Sequence, residues 1–425
     1  MKSEAFKRQP WYSDHVEKLK VSLKWIGFGL LTGVIIGFCA SIFAKLIVSV
    51  TALRLAHTWI LYFLPLAGIP IVWLYHKAGS AGVGGTNMVL NAIREEKQVP
   101  GLLAPLIFIS TVLTHMFGGS AGREGAALQM GGSMGNMLGQ FFHFGKSDRR
   151  RVTMCGMSAA FSALFGTPLA ATVMPMEIST VGIIYYSALV PCAIASLTAH
   201  QIAKWMGVES EVMLLSNVPA LTPLRGLFFA LFAGLCALVS ILFCTSMHKT
   251  EHFLSKHVKN DYVKIIGGGV LIILMTLMVG DQTYNGAGSG ILAACVLDPQ
   301  FKAGWYMFLL KILFTVVTLS AEYKGGEIVP SLFIGATFGN FFGNLTGQDP
   351  ALCAAVGMAC VFCGVTNCPL AALLISFELF GFEAMPYLLL AVSLTYLFSG
   401  NYGIYTGQMI RYSKFTPGRV DAKTH

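Results

Sequence analysis

The sequence predicts an all-α protein that crosses a lipid bilayer several times. Of its 425 residues, 55% are apolar and only 12% are Asp, Glu, Lys or Arg, whereas soluble proteins carry about 25% charged residues. The mean hydropathy is +0.67. A membrane helix needs about 20 largely apolar residues, and runs without any charge recur at residues 25–44, 152–176, 226–247, 265–280 and 328–348. Too few polar residues remain to cover a soluble protein of this size.

The positive charge is concentrated at the two ends of the chain. The net charge is +9, with basic residues before the first apolar run (Lys2, Lys7, Arg8, Lys18, Lys20, Lys24) and after the last one (Arg411, Lys414, Arg419, Lys423). Basic residues near span ends mark the cytoplasmic side. We therefore expect residues 1–24 and 413–425 to be cytoplasmic segments, with no cleavable signal peptide at the start. The charge is explained by topology, and no soluble basic domain is present that would bind nucleic acid.

An internal repeat divides the apolar part into two halves. The segment 121–140 (AGREGAALQMGGSMGNMLGQ) is similar to 325–344 (GGEIVPSLFIGATFGNFFGN), with Gly135 and Gly339 204 residues apart. In the same order, 165–178 is similar to 366–379, with Pro168 and Pro369 201 residues apart. We predict two repeats, 25–215 and 220–412. Duplicated halves are typical of secondary transporters, whose ions bind near the midplane at the repeat interface.

Clusters of glycine and proline predict interrupted, re-entrant helices. They lie at 82–85, 118–125, 286–290 and 325–330, and irregular backbone at membrane depth is tolerated where it lines a cavity or is buried in protein. The alternative is that glycines only let helices pack closely. Gly131, Gly135 and Gly139, spaced every four residues, fit the packing role; the clusters that open an apolar run fit an ion site better.

Carboxylates inside apolar runs are costly and therefore functional candidates. Glu124 is predicted to start a helix, where the free backbone N–H groups hold an anion. An ionised Glu124 would mimic a bound anion, and its protonation would free the site. A simple N-terminal cap explains the local sequence equally well. Glu327 occupies the matching region of the second half, and the two carboxylates could form a proton relay.

Two further acidic residues are assigned a structural role. Glu177 and Glu378 are repeat mates, each at the end of a predicted helix that contains Pro-Leu-Ala. We expect each to bind backbone groups of a neighbouring segment. The Cys360-x-x-Cys363 pair lies in a small-residue membrane stretch, and packing explains it better than metal or redox chemistry.

These motifs resemble the CLC family of chloride channels and proton-coupled transporters. GREGAALQMGG resembles the family's GREGP motif, the AAF…GTPLAA stretch its second landmark, and residues 325–335 its GGxFxP motif. The resemblance covers roughly residues 25–412. It implies a CLC-type fold of about eighteen helices in two inverted-topology repeats with re-entrant broken helices, an ion pathway in each subunit, and a homodimer.

The departures from the chloride-type pattern resemble the fluoride/proton antiporter branch of the family. Gly85-Thr86-Asn87 stands where chloride-type members have GSGIP, and Ala126 replaces the proline of GREGP. Ile178 stands where chloride antiporters carry their internal proton glutamate. In the fluoride branch, the glutamate of GGE, here Glu327, takes over that role. That branch often has Met at the position of Thr86, and Thr at the position of Val329, so a different anion preference is open.

The resemblance assigns the site residues. Glu124 would be the external gate and a proton carrier, and Glu327 the second proton site. The implied anion-binding positions are Gly85, Thr86, Asn87, Gly125, Ala126, Val329 and Tyr405, with Tyr402 a weaker candidate than Tyr405. No metal or cofactor is expected; the expected partners are fluoride or chloride, protons and the lipid bilayer.

Three functions are compatible with the sequence. The first is export of fluoride in exchange for protons through a bacterial inner membrane. The second is a chloride/proton antiporter or passive chloride channel on the same fold, which Thr86 leaves open. A membrane-embedded enzyme is the third, but the ten His form no HExxH and no GxSxG lies at a helix start.

Overall fold

A computed structural model describes residues 11–79, 85–145, 148–415 and 418–424. These residues hold 16 α-helices and two short 3-10 helices, at Thr58–Phe63 and Tyr186–Ala188. The first eight α-helices are α1 (Trp11–Ala56), α2 (Leu64–Lys77), α3 (Gly85–Glu95), α4 (Leu103–Met116), α5 (Glu124–Phe141), α6 (Arg149–Phe165), α7 (Pro168–Glu177) and α8 (Leu189–Trp205). The next eight are α9 (Pro223–His257), α10 (Asp261–Val279), α11 (Ser289–Leu297), α12 (Met307–Ser320), α13 (Ile328–Thr346), α14 (Pro350–Thr366), α15 (Pro369–Phe380) and α16 (Met385–Phe398).

Five helical stretches among the described residues are long and apolar enough to cross a membrane. They are His15–Ala56, Thr58–Lys77, Pro223–His257, Asp261–Val279 and Ile328–Thr346. The first helix, α1, has 46 residues and so extends for about 69 Å, well beyond the ~30 Å hydrocarbon core of a bilayer. The segment 11–24, expected to precede the first span, is therefore the first part of that helix.

A small sheet was not predicted from the sequence. Strand β1 (Thr180–Val181) pairs in parallel with β2 (Met409–Tyr412), and β2 pairs antiparallel with β3 (Arg419–Lys423). The strands of two and four residues are too short to leave a periodic pattern. Within the predicted tail, 413–425, the sheet brings β3 back onto the helical body.

Glycines allow α5 and α6 to approach closely, as the packing interpretation predicted. A Cβ on Gly131 would lie 2.3 Å from the carbonyl oxygen of Gly156, and one on Gly135 would lie 2.4 Å from that of Val152. Helices α13 and α14 repeat this arrangement, because a Cβ on Gly339 would lie 2.1 Å from the Cys353 carbonyl oxygen. Both helices that carry a candidate carboxylate are thereby fixed against a neighbour.

Glu177, at the end of α7, caps α15, and Glu378, near the end of α15, caps α7. These contacts confirm the structural role predicted for both residues. The Glu177 carboxylate accepts hydrogen bonds of 3.1 and 2.9 Å from two backbone N–H groups in the first turn of α15. The Glu378 carboxylate accepts bonds of 2.8 and 2.9 Å from the corresponding groups of α7. Cys360 and Cys363 are buried and unpaired in α14.

The ends of α1 define the two faces of the molecule. Near its beginning, Lys24 donates to Asp148 at 2.7 Å, and the Arg150 guanidinium lies 4.4 Å from the Tyr185 ring centroid. The sheet lies on this same face, here called the terminal face, because Tyr185 follows β1. The other end of α1 reaches Arg54, which hydrogen-bonds Gln282 on the opposite face.

Candidate functional site

The starts of α5 and α13 meet at a pair of glycines. The Gly122 N–H donates to the Gly326 carbonyl and the Gly326 N–H donates to the Gly122 carbonyl, both at 2.7 Å. Helix α5 begins two residues after Gly122, at Glu124, and Glu327 is the N-cap of α13. The N-terminal ends of two helices, each carrying partial positive charge, therefore converge where both candidate carboxylates lie.

Glu124 is held in place by the residue that precedes it. Its side chain is 1% exposed, and its carboxylate accepts from the Arg123 backbone N–H at 3.0 Å and from Arg123 Nε at 3.3 Å. The same guanidinium donates to Glu211 at 3.1 Å. These hydrogen bonds are strongest when Glu124 is ionised, so protonation of Glu124 weakens them.

Glu124 lines a cavity of about 630 Å³ that we call the Glu124 cavity. Its other polar walls come from Arg54, His115, Arg123, Glu211 and Gln282. Since Arg54 and Gln282 lie at the far end of α1, this cavity lies on the face opposite the terminal face.

Glu327 is buried with one carboxyl oxygen unsatisfied. Its side chain is 8% exposed, and Oε1 has no hydrogen-bond partner among the described residues. A Cβ on Gly125 would lie 3.1 Å from Glu327 Oε2 and 2.8 Å from the Gly326 Cα. The carboxyl group therefore lies against the first turn of α5, within one residue of Glu124, and a side chain at position 125 would displace it.

Five of the predicted residues line a second cavity of about 170 Å³, here called the Glu327 cavity. They are Gly85, Thr86, Asn87, Glu327 and Tyr405. The exposed Glu251 also lines this cavity, and Tyr405 lies shortly before β2 in the chain. Glu124 and Glu327 thus face different cavities, with the Gly122–Gly326 pair between them.

Two hydroxyl groups face the Glu327 carboxyl. They belong to Thr86 and Tyr405, and the Tyr405 hydroxyl has no hydrogen-bond partner among the described residues. Thr86 Oγ1 accepts from Gln129 Nε2 at 3.2 Å, which leaves its own O–H free to donate. Tyr405 is 2% exposed, whereas Tyr402 is 37% exposed and is not among the residues that line this cavity.

Asn87 hydrogen-bonds the backbone of the segment that carries Tyr405. Its Oδ1 accepts from the Gly407 N–H at 2.9 Å, and Arg94 of the same helix donates to the Gly407 carbonyl at 2.8 Å. The Thr424 hydroxyl, next to β3, donates to the Tyr405 carbonyl at 2.6 Å. No described residue hydrogen-bonds the Asn87 amide nitrogen, which leaves that group for a ligand.

The remaining predicted anion positions form the packed layer between the cavities. Ala126 is fully buried in the first turn of α5, and Val329 is 1% exposed in the first turn of α13. A Cβ on Gly122 would lie 3.2 Å from the Val329 Cβ. Gly85 has a positive φ of 43°, and residues 82–84 of its glycine cluster lie outside the described part of the chain.

Sequence reasoning missed four polar groups that shape the site. Gln129 supports Thr86, Glu211 shares Arg123 with Glu124, and Arg54 and His115 line the Glu124 cavity. Gln129 and Glu211 carry no signal that ties them to the site before the chain is folded. Arg54 carries a signal in the sequence, because a basic residue at the end of a long apolar run is costly to bury and usually binds a polar partner.

Residues 67–400 match the family described as voltage gated chloride channel. A chloride/fluoride channel protein of Pseudomonas syringae pv. tomato is 33% identical over 407 residues, covering 94% of this chain and 90% of the relative. The chain belongs to the CLC family of membrane transport proteins. A crystal structure of a CLC-type fluoride/proton antiporter superposes with a TM-score of 0.87 at 30% identity, covering 95% of this chain and 100% of that one.

More distant relatives show the same fold. A slow cyanobacterial Cl⁻/H⁺ antiporter superposes with a TM-score of 0.76 at 18% identity and covers 88% of this chain and 94% of its own. These comparisons confirm the CLC-type fold predicted from the motifs. They also make the chain an integral membrane protein of a family of anion channels and transporters.

Proposed function

We propose that this protein exports fluoride in exchange for protons. The observation that carries the proposal is Glu327: a buried carboxyl with an unpartnered oxygen, which lines a cavity in a chain that has Ile178 where chloride antiporters carry their internal proton glutamate. A proton that enters from the terminal face meets Glu327 before it reaches Glu124. The similarity to a fluoride/proton antiporter and to a chloride/fluoride channel protein supports the choice of anion.

The proton path has two carboxylate sites, Glu124 and Glu327, on either side of the Gly122–Gly326 pair. Glu124 is the external gate: when ionised it occupies the N-terminal end of α5 as an anion would, and when protonated it is held more weakly by Arg123. Glu327 is the second proton site and exchanges protons with the Glu327 cavity. Because both groups lie at the first turn of α5, one anion bound there competes with both.

On the Glu327 side, hydroxyl and amide donors line the path of the anion. Thr86 and Tyr405 offer O–H groups and Asn87 offers its amide N–H₂ group, while Gly85, Gly125, Ala126 and Val329 shape the close-packed backbone around the path. Fluoride is the smallest halide and the strongest hydrogen-bond acceptor among them, so a short row of O–H and N–H donors suits it.

Chloride/proton antiport is the second candidate, favoured by one observation. Thr86 lines the Glu327 cavity. It carries a hydroxyl group in the segment where chloride-type members have a serine whose hydroxyl touches the anion. A passive channel on the same fold is a weaker candidate, because two buried carboxylates with access to different cavities are what proton coupling needs. No enzymatic activity is part of the proposal.

The cellular setting follows from the same resemblance. The protein would be a homodimer in a bacterial inner membrane with both termini cytoplasmic. In that orientation the Glu327 cavity opens to the cytoplasm and the Glu124 cavity opens to the outside. The two predicted repeats, 25–215 and 220–412, would supply α5 and α13 respectively.

Flux from proteoliposomes tests the choice of anion. Vesicles are loaded with fluoride or with chloride, and anion efflux and internal pH are recorded together. Fluoride efflux that far exceeds chloride efflux, with protons moving in the opposite direction, supports the proposal. Comparable chloride flux would assign the protein to chloride/proton antiport, and anion flux without proton movement would make it a channel.

A further inference from the structure

Two buried cations near the Glu124 cavity lack a carboxylate partner. Arg54 is 2% exposed and Lys311 is fully buried, and neither forms an ion pair with any described residue. Burying an unpaired charge costs free energy. The two carboxylates that line the cavity, Glu124 and Glu211, are already bound by Arg123.

Lys311 is satisfied by backbone and is therefore a structural cation. Its ammonium donates to the Gly286 carbonyl at 2.7 Å and to the Tyr284 carbonyl at 3.2 Å, and it lies 5.1 Å from the Phe333 ring centroid. It fixes the segment after α10 that forms one wall of the cavity.

Arg54 is only partly satisfied. One terminal nitrogen donates to the Gln282 side chain, but Nε has no hydrogen-bond partner among the described residues. The guanidinium is confined by backbone, because a Cβ on Gly286 would lie 3.2 Å from Arg54 Nη2 and one on Gly118 would lie 3.4 Å from Arg54 Cδ. A buried donor group held rigidly at a cavity wall is arranged for a ligand rather than for bulk water.

His115 faces the same space without supplying a donor in its neutral form. Its Nδ1 lies 2.9 Å from the Thr111 carbonyl oxygen, which can only accept, so Nδ1 carries the proton. Nε2, which has no partner among the described residues, then presents a lone pair. Among the side chains that line the cavity, Arg54 is thus the cation not already committed to a carboxylate.

The charges that line the cavity depend on Glu124. With Glu124 ionised, Arg54 and Arg123 balance Glu124 and Glu211. With Glu124 protonated, the lining carries one net positive charge. An anion in the cavity restores the balance, so the cavity attracts it most when the gate is neutral.

We propose that Arg54 forms a second binding site for a small monovalent anion in the Glu124 cavity, separate from the helix-start site at Glu124. An anion there accepts from the Arg54 guanidinium just outside the gate, where an exported anion leaves the pathway and an entering anion would bind before Glu124 is protonated. The role in transport rests on the proposed function, whereas the binding itself does not.

Bromide binding tests the site directly. Crystals of the full-length protein are soaked in bromide, whose anomalous scattering locates it. We expect a peak within hydrogen-bond distance of Arg54 that is lost in Arg54→Gln and kept in Arg54→Lys. Absence of any peak at Arg54 in the native protein, or its persistence in a folded Arg54→Gln variant, would overturn the proposal.

Transport kinetics give a second readout with a charge-matched control. Fluoride flux is measured against fluoride concentration on the Glu124 side, in vesicles with uniformly oriented protein. Loss of one charge-assisted hydrogen bond should raise the KM of Arg54→Gln about tenfold and leave the number of protons per anion unchanged. Arg225→Gln removes the same charge at the start of α9, away from the cavity-lining residues, and should change KM less than about twofold.

The outcomes separate the two proposals. Equal shifts in Arg54→Gln and Arg225→Gln would reduce the effect to general surface charge and overturn the site. If the native protein moves no fluoride, the proposed function fails, and the bromide measurement still decides whether Arg54 binds an anion. Should Arg54→Gln fail to fold, the native bromide peak and the KM of Arg54→Lys, expected near the native value, carry the test.

Discussion

At the scale of single residues, Glu124 and Glu327 differ in what holds them. Glu124 is bound by Arg123 through two hydrogen bonds, whereas one Glu327 oxygen has no partner among the described residues. A carboxylate with strong partners has a defined closed position, which suits a gate. A buried carboxylate with one oxygen unpartnered gains more from binding a proton, which suits a proton site.

Replacing Glu124 by Gln should abolish proton coupling. The amide has nearly the shape of the protonated carboxyl but cannot exchange a proton, so the gate is fixed in its neutral form. We expect anion flux without counter-movement of protons, measured as fluoride efflux and pH change in the same vesicles. Folding is checked by size-exclusion profile, and a folded variant with normal coupling would contradict the role of Glu124 as proton carrier.

Replacing Glu327 by Gln should also separate proton from anion movement. Glu251→Gln is the matched control, because it removes an exposed carboxylate from the lining of the same cavity. We expect the number of protons moved per fluoride to fall toward zero in Glu327→Gln and to stay native in Glu251→Gln. An unchanged ratio in the first variant, or an equal loss in both, would refute the assignment.

At the scale of elements, the carboxylate caps of α7 and α15 are structural. Each of Glu177→Gln and Glu378→Gln removes a charge from a helix N-terminus, which costs about 1–2 kcal/mol. We expect both variants to unfold at lower temperature in detergent and to keep the native number of protons per anion. Lost coupling in Glu177→Gln at native stability would show that it carries protons.

The glycine contacts between α5 and α6 hold the Glu124 helix in place. Gly135→Ala places a Cβ 2.4 Å from a backbone carbonyl oxygen, and such overpacking costs about 1–3 kcal/mol. Gly267→Ala is the control, since a Cβ at that helical position meets nothing within 4 Å. Thermal unfolding should show a lower Tm for the first variant only; equal Tm values would mean that the contact relaxes without cost.

Structural features could be predicted where the residue pattern reflected close helix packing or the burial of a charged group. The spacing of Gly131, Gly135 and Gly139 indicated close packing, and the costly burial of Glu177 and Glu378 indicated bonded carboxylates. The sheet was not predictable, because its strands are shorter than any periodic signal. The continuation of α1 back to Trp11 was hidden by its polar composition, which is normal for a helix that leaves the membrane.

At the scale of the whole molecule, the sequence indicated which residues matter but not how they divide between two cavities. Glu124 and Glu327 were predicted as a pair, yet the Gly122–Gly326 hydrogen bonds that separate their cavities join residues 204 apart in the chain. The clustering of Thr86, Asn87 and Tyr405 came from the family resemblance, since no local pattern links positions so distant. The role of each of these residues stays a prediction until transport is measured.

The central claim is that proton movement and anion movement are obligatorily linked through Glu124 and Glu327. The most direct test sets equal fluoride concentrations on both sides of a proteoliposome membrane, clamps the voltage at zero and imposes a pH gradient. We predict that fluoride moves against its own developing gradient toward the more acidic side, as protons leave that side. Fluoride that stays at equal concentrations on both sides, in vesicles proven to conduct it, would contradict the account and make the protein a channel.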